Sequence, residues 1–187
     1  MKIAIVGSGN AGCAHAFKLA ERGHLVNLIK TSHTLHESNF DKIVEHKGIY
    51  GIDNTESGKK SFQKLNLITR DIKEGLRSVE LILVLIQSLH HEKAAKLIAP
   101  YIDKETTKII LCVPGNLGSL FFRKELDGVD IILAEGESTP FDARIIEPGV
   151  VNILFKNARN AVAFLPNSRK EEGMKYVSKL VDTYGDY

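Results

Sequence analysis

The first thirty residues alternate between apolar runs and apolar positions at helical spacing. Residues 3–6 are four apolar residues in a row, as in a short buried strand, and residues 25–29 form a second run. Between them, apolar side chains recur on one face of a predicted helix: Cys13, Ala16, Phe17 and Ala20. The pattern predicts a strand, a helix and a second strand.

The same patterns continue along the chain. Residues 81–86 are a six-residue apolar run, typical of a central parallel strand that is buried on both faces. Further strands are predicted at 48–52, near 62–68, and at 108–113, 130–135, 150–155 and 161–165. Helices are predicted over 34–47, 71–78, 88–99, 119–126 and 168–184. Alternating strands and helices predict one α/β domain over residues 1–187, with no linker inside it.

Three glycines separate the first strand from the first helix, within the segment Gly7, Ser8, Gly9, Asn10, Ala11 and Gly12. Gly7 permits a tight turn, Gly9 lets a pyrophosphate approach the backbone, and Gly12 lets the helix pack close to the strand. The N–H groups and the dipole of the helix favour phosphate. We therefore predict a Rossmann-type, doubly wound α/β fold that binds a nicotinamide dinucleotide, with a mostly parallel sheet and helices on both faces. A βαβ unit that binds no nucleotide is the alternative.

The end of the second strand bears on the choice between NADP and NAD. NAD-binding domains carry an acid there, about 20 residues beyond the glycines, that holds the ribose hydroxyls. Residues 30–33 contain no acid, and Lys30, Thr31 and Ser32 could instead hold a 2′-phosphate. We therefore predict NADP, with NAD as the alternative if Lys30 is only a solvated strand end.

Two later turns follow buried strands and should face the cofactor, because ligands bind at the carboxyl ends of strands in open α/β sheets. The residues predicted to border the nicotinamide are Ile86, Gln87, Ser88, Pro114, Gly115 and Asn116. His90 and His91 follow the first turn, but adjacent helical residues point about 100° apart. No metal site is therefore predicted.

Composition narrows the classes of partner. The net charge of +2 implies no nucleic-acid partner, and no apolar run is long enough to cross a membrane. The chain starts with a strand and not a signal peptide. Cys13 and Cys112 lie in apolar segments, which favours buried free thiols over a disulfide. We expect a cytoplasmic protein, which could form a homodimer.

Four motifs together resemble the NAD/NADP octopine (opine) dehydrogenase family: residues 7–16, the strand before His90 and His91, residues 114–118, and residues 137–144. The resemblance spans nearly the whole chain but only the family's N-terminal, cofactor-binding domain. Family members couple an amino acid to a 2-oxo acid and reduce the imine with a nicotinamide cofactor. The resemblance implies that the catalytic His belongs to a second, helical domain absent from this chain, so the catalytic residues are unknown.

The resemblance also implies two substrate contacts. Ser138 matches the family's Thr near the oxo acid, and Arg144 could pair with a substrate carboxylate. An ion pair of Arg144 with Glu135 or Glu137 is the alternative. This chain has Ala143 where the family often has Cys.

Two other functions fit the same motifs. One is a stand-alone nucleotide-binding module that senses redox state without turnover. The other is a reductase of the ketopantoate reductase type, which would reduce a 2-oxo acid without an amine.

Overall fold

The computed structural model describes residues 1–185. The strands of this range are β1 (Lys2–Val6), β2 (Leu25–Ile29), β3 (Gly48–Asp53), β4 (Lys60–Lys64), β5 (Leu67–Thr69), β6 (Leu81–Val84), β7 (Ile109–Cys112), β8 (Ile132–Gly136), β9 (Phe141–Glu147), β10 (Val150–Lys156), β11 (Asn160–Leu165) and β12 (Tyr184–Gly185). Its α-helices are α1 (Asn10–Glu21), α2 (Glu37–His46), α3 (Ile72–Gly75), α4 (His91–Ile98), α5 (Gly118–Glu125) and α6 (Lys170–Val177). None of these helices is both long enough and apolar enough to cross a membrane.

Eight strands form the main sheet, in the order β12-β11-β8-β7-β6-β1-β2-β5. All neighbours from β8 to β5 are parallel, and β11 runs antiparallel to β8. The chain moves outwards from β1 through β2 on one side and from β6 through β7 on the other. The strand order therefore reverses between β1 and β6, which confirms the predicted doubly wound, mostly parallel sheet.

Alternate residues of β1 face two separate cores. Ile3 and Ile5 pack with the apolar face of α1, and Val177 of α6 belongs to the same core. Ala4 and Val6 face the other side, where the apolar residues of α3, α4 and α5 pack. The period of two in a strand thus places helices on both faces of the sheet, as predicted.

A second sheet of four strands, in the order β4-β3-β10-β9, was not predicted. It packs on α1, and it approaches so closely that a Cβ atom at Gly51 of β3 would lie 2.5 Å from the ring of Phe17. The returning strand predicted near residues 62–68 exists as β4, which pairs antiparallel with β3, but its later part is a separate strand, β5, which pairs with β2 in the main sheet. Strand β9 lies in a segment for which no strand was predicted.

Several predicted helices are shorter in the structure. The helix expected from residue 34 begins at Glu37, because residues 31–36 form a loop. The helix expected over 168–184 ends at Val177, and Tyr184 pairs with Asn160 of β11. Leu180 and Val181 are still buried, so their apolar character reflects burial in a turn and not a helix face.

Candidate cofactor-binding site

A cleft of about 1050 Å³ opens at the carboxyl ends of the parallel strands, where the strand order reverses. Most residues predicted to bind the cofactor line it: Gly7, Ser8, Gly9, Asn10, Ala11, Lys30, Thr31, Ser32, Ile86, Gln87, Ser88 and Pro114. Leu89 and His90, in the turn that was expected to face the cofactor, also line it. Thr139 and the rest of the loop 31–36 line it as well and were not predicted. Segments distant in sequence therefore meet at this one edge of the sheet.

The three glycines of the first turn differ in what limits their size. Gly7 has φ +118°, and a Cβ atom there would lie 2.2 Å from the carbonyl oxygen of Leu85. A Cβ atom at Gly12 would lie 1.8 Å from the carbonyl oxygen of Gly7. At Gly9 it would approach only the ring of His36, at 3.9 Å. Gly7 and Gly12 are therefore required by the fold itself, whereas Gly9 keeps the floor of the cleft open.

The N-terminus of α1 provides backbone donors at the cleft. Gly9 is its N-cap, no side chain caps it, and no acid lies in its first turn. The side chain of Asn10 is used elsewhere, because its Oδ1 accepts a hydrogen bond from the backbone N–H of Ile145 in β9 at 2.9 Å. What this end of the helix offers an anion is therefore its backbone N–H groups and its dipole. That donor set, beside a glycine with open space, fits a pyrophosphate.

The side chain of Lys30 is buried and already has two partners. Its side chain is only 2% exposed, so it is not a solvated strand end. Its Nζ donates to the carbonyl oxygen of Leu35 and lies 3.3 Å from Glu37 Oε1. An acid, Glu37, thus lies beside Lys30, although residues 30–33 contain none. Desolvation acts against ionisation of Glu37, but hydrogen bonds from Arg70 and Lys30 outweigh it and hold the pKa of the carboxyl below its ordinary value.

The two turns predicted at the nicotinamide side contact each other. Asn116 Nδ2 donates to Ser88 Oγ at 2.8 Å. Glu135 fixes the turn that begins at Pro114, because its carboxylate accepts hydrogen bonds from the backbone N–H groups of Leu117 and Ser119 at 3.0 and 2.8 Å. Gly115 lies against Glu135 and, like Gly12 and Asn116, is not among the residues lining the cleft. Asn116 instead borders a neighbouring groove of about 410 Å³.

His90 and His91 have different surroundings. His90 is exposed and lines the cleft. His91 is fully buried, and its ring lies where a Cβ atom at Gly118 would be 2.1 Å from Nδ1. Burial lowers the pKa of His91.

The acidic group with metal-ligand spacing among the described residues consists of Glu21, Asp53 and Glu56. The Nζ of Lys18 lies among these carboxylates, within 2.8 Å of an oxygen of each. The Lys18 ammonium group therefore offsets part of the negative charge of this cluster.

Two buried side chains of α1 support the glycine turn. The Sγ of Cys13 donates to the carbonyl oxygen of Ser8, and burial raises the pKa of this thiol to about 12. His15 Nδ1 lies 2.8 Å from the carbonyl oxygen of Ala11, and burial lowers the pKa of His15 to about 4. Cys13 and Cys112 are both buried and free, as predicted.

The two predicted substrate residues lie outside the cleft lining. Ser138 Oγ accepts hydrogen bonds from Asn157 Nδ2 at 3.2 Å and Asn160 Nδ2 at 2.8 Å. Arg144 is exposed, and its Nη1 donates to Asp142 Oδ1 at 2.8 Å. The alternative of an ion pair with Glu135 or Glu137 is therefore wrong. Glu135 accepts from the backbone at the start of α5, and Glu137 accepts from the N–H of Ala161.

Known proteins show the same fold. A solved octopine dehydrogenase with NADH and L-arginine superposes on the whole chain with a TM-score of 0.83 at 18% identity, over 48% of its own length. A yersinopine dehydrogenase with NADP+ bound superposes on 98% of this chain with a TM-score of 0.78 at 13% identity, over 46% of its own length.

Sequence comparison supports the resemblance to opine dehydrogenases. The opine dehydrogenase of Arthrobacter sp. (strain 1C) is 26% identical over 185 residues, which are 97% of this chain and 49% of the relative. The chain therefore spans about half the length of this curated relative. The sequence profile described as "Ketopantoate reductase PanE/ApbA" matches residues 3–121, well over half of the chain. The chain belongs to the ketopantoate reductase PanE/ApbA family.

Proposed function

We propose that this chain binds a nicotinamide dinucleotide in the cleft and forms the cofactor-binding part of an oxidoreductase of the opine dehydrogenase type. One observation carries the proposal. The N-terminus of α1 has no side-chain cap, and it meets the cleft at Gly9, where a Cβ atom would find open space. An anion-binding helix end at the reversal of strand order is the arrangement that dinucleotides use in α/β sheets.

Three groups of residues in this chain contact three parts of the cofactor. The N–H groups of the first turn of α1 hold the pyrophosphate. Residues 30–32 border the adenosine ribose, and Ile86 to Ser88 with Pro114 border the nicotinamide. The hydrogen bond from Asn116 to Ser88 fixes those two turns relative to each other. When bound, the cofactor supplies a hydride from C4 of its nicotinamide ring.

The cofactor is NADP in this proposal, with NAD as the alternative. Lys30 and Arg70 bring two cations to the ribose end, which favours a 2′-phosphate. Glu37 opposes that preference, because it lies between them. The solved relatives include complexes with NADH and with NADP+.

The catalytic groups come from a second domain in this proposal. Leu89, Leu117 and Leu120 are more than half exposed beside the turns of the nicotinamide side, and a second domain would cover them. The substrates, an amino acid and a 2-oxo acid, would bind between the two domains. Arg144, whose guanidinium is exposed, would bind a substrate carboxylate. Ser138 accepts hydrogen bonds from two asparagines, and neither contact uses its hydroxyl hydrogen, which would donate to the substrate. A homodimer stays a prediction.

A second candidate is reduction of a 2-oxo acid without an amine, since the family profile is that of ketopantoate reductase. The two chemistries differ in one requirement. Cofactor oxidation that depends on added amino acid supports the opine type. Oxidation with the 2-oxo acid alone supports the ketopantoate type, and binding without any turnover supports a nucleotide-sensing module.

The test of cofactor binding is a calorimetric titration of the chain and of Gly9→Ala with NADPH and NADH. Alanine suits the backbone at residue 9 (φ −81°, ψ −166°), so the variant should melt at the wild-type temperature. Its methyl group would lie where the pyrophosphate approaches, and we expect affinity to fall by about tenfold or more. Wild-type protein that binds neither dinucleotide, or a variant that binds them equally well, contradicts the proposal.

A further inference from the structure

Four side chains meet behind the loop 31–36, at the carboxyl ends of β2 and β5. We call them the ribose-end cluster: Lys30, Glu37, Phe40 and Arg70. One carboxylate serves two cations, because Glu37 Oε1 lies 3.3 Å from Lys30 Nζ and Glu37 Oε2 lies 2.5 Å from Arg70 Nη2. The ring of Phe40 lies beneath both, with its centroid 5.8 Å from Lys30 Nζ and 4.9 Å from Arg70 Cζ.

The same two cations hold the loop that forms one wall of the cleft. Lys30 Nζ donates to the carbonyl oxygen of Leu35, and Arg70 Nη1 donates to that of Ser32 at 2.9 Å. Both Leu35 and Ser32 line the cleft. Lys30 itself lines the cleft, whereas Glu37, Phe40 and Arg70 lie behind it and are not among its lining residues.

Glu37 is well placed to offset this positive charge. It is the first residue of α2, where the helix dipole favours a carboxylate. Its side chain is 38% exposed, that of Arg70 is 31% exposed, and that of Lys30 is buried. In dinucleotide-binding sheets, an acid at the end of the second strand holds a ribose 2′-hydroxyl and an arginine nearby accommodates a 2′-phosphate. Here both kinds of residue are present and paired with each other.

We propose that Glu37 is the residue that sets cofactor specificity, because by pairing with Lys30 and Arg70 it limits the positive charge available to a 2′-phosphate. The proposal rests on cofactor binding in the cleft. Glu37 acts through the two cations and not by contact with the ribose. Its loss should therefore change affinity for NADPH and leave affinity for NADH unchanged.

The experiment compares wild type, Glu37→Gln and Asp41→Asn by calorimetric titration with each dinucleotide. Asp41 is an exposed acid one turn further along α2, so Asp41→Asn removes the same charge from the same helix. We expect Glu37→Gln to bind NADPH roughly fivefold or more tightly than wild type, and Asp41→Asn to change it by less than about twofold. The gain should shrink at high salt, which screens the interaction.

A second variant keeps the test decisive if Glu37→Gln does not fold. Arg70→Met removes one of the two cations, and it should weaken NADPH binding by roughly threefold or more beyond any loss of NADH binding that follows from the freed loop.

Three outcomes would overturn the proposal. Unchanged NADPH affinity in both Glu37→Gln and Arg70→Met means that the cluster does not act on the 2′-phosphate. Weaker NADH binding with unchanged NADPH binding in Glu37→Gln means that Glu37 contacts the ribose directly. A wild-type chain that binds neither dinucleotide overturns the proposed function as well, which separates that failure from the first two.

Discussion

Single buried side chains of α1 carry ionisable groups in three different states. His15 is neutral, because burial lowers its pKa, and its Nε2 has no hydrogen-bond partner. Cys13 is a thiol, because burial raises its pKa. Lys18 is charged, since its three carboxylate partners outweigh desolvation and raise its pKa. Each state follows from what the remainder of the fold places beside the group.

His15 should make the stability of the protein depend on pH. The pKa of His15 is about 4 in the folded protein and close to 6.5 in the unfolded chain, so the unfolded chain takes up the proton first as pH falls. Stability from this residue is therefore complete above pH 6.5 and is lost towards pH 4, by about 3 kcal/mol. Urea unfolding at pH 7 and pH 4.5 measures the loss.

The control for His15 is the variant His15→Leu, which keeps an apolar side chain of similar size. Burial also lowers the pKa of His91 and His24, so the wild type and the variant must be compared at each pH. The variant should lose less free energy of unfolding than the wild type between the two pH values. Equal losses would show that His15 does not titrate as described.

At the scale of elements, α1 joins the parts of the fold. Its first turn faces the cleft, its apolar face packs on both sheets, and near its end Lys18 pairs with Asp53, the last residue of β3. The Asn10 side chain adds a hydrogen bond to β9. Movement of this helix would therefore disturb the cofactor turn and the second sheet together.

Lys18→Met should destabilise the protein, because it leaves the carboxylate of Asp53, only 7% exposed, without its cation. The loss expected for breaking a buried pair is about 3 kcal/mol. Lys42→Met is the control, since Lys42 pairs with Glu45 at an exposed site of α2 and should cost less than about 1 kcal/mol. Chemical denaturation measures the free energy of unfolding of the two variants. Equal losses would show that the pair of Lys18 with Asp53 stabilises the protein no more than an exposed pair does.

The elements that could be predicted from sequence are those with strong local patterns. These are the strands β1, β2, β6 and β7, which are apolar runs, and α1, which follows a glycine turn. The carboxyl ends of the strands then meet because parallel strands end at the same edge of the sheet. The second sheet could not be predicted, because β9 contains Asp142, Arg144 and Glu147, and its pairing depends on residues distant in sequence. The contacts of Glu37 and Arg70 with Lys30 could not be predicted for the same reason. They reach Lys30 only through the loop 31–36 and the pairing of β2 with β5.

At the scale of the whole molecule, the two sheets are built from different parts of the chain and both pack on α1. The main sheet has its parallel centre from β1 to β7 complete by residue Cys112. The second sheet is assembled from the β3–β4 hairpin and from the later strands β9 and β10. The hairpin is thus an insertion between α2 and β5 that finds its partner strands much later in the chain.

That late pairing has a consequence for how the protein is made. Tyr50 of β3 is aligned with Val150 of β10, about 100 residues further along the chain, so the hairpin leaves the ribosome long before its partner does. Until β9 and β10 arrive, the apolar face of α1 lacks the cover that Phe141, Ala143 and Val151 of these strands provide in the finished fold. Closing so long a loop makes this the slow, late step of folding. In pulse-labelled refolding, the amides of β3 and β10 should become protected after those of β6 and β7, and the nascent chain should be most exposed to aggregation in that interval.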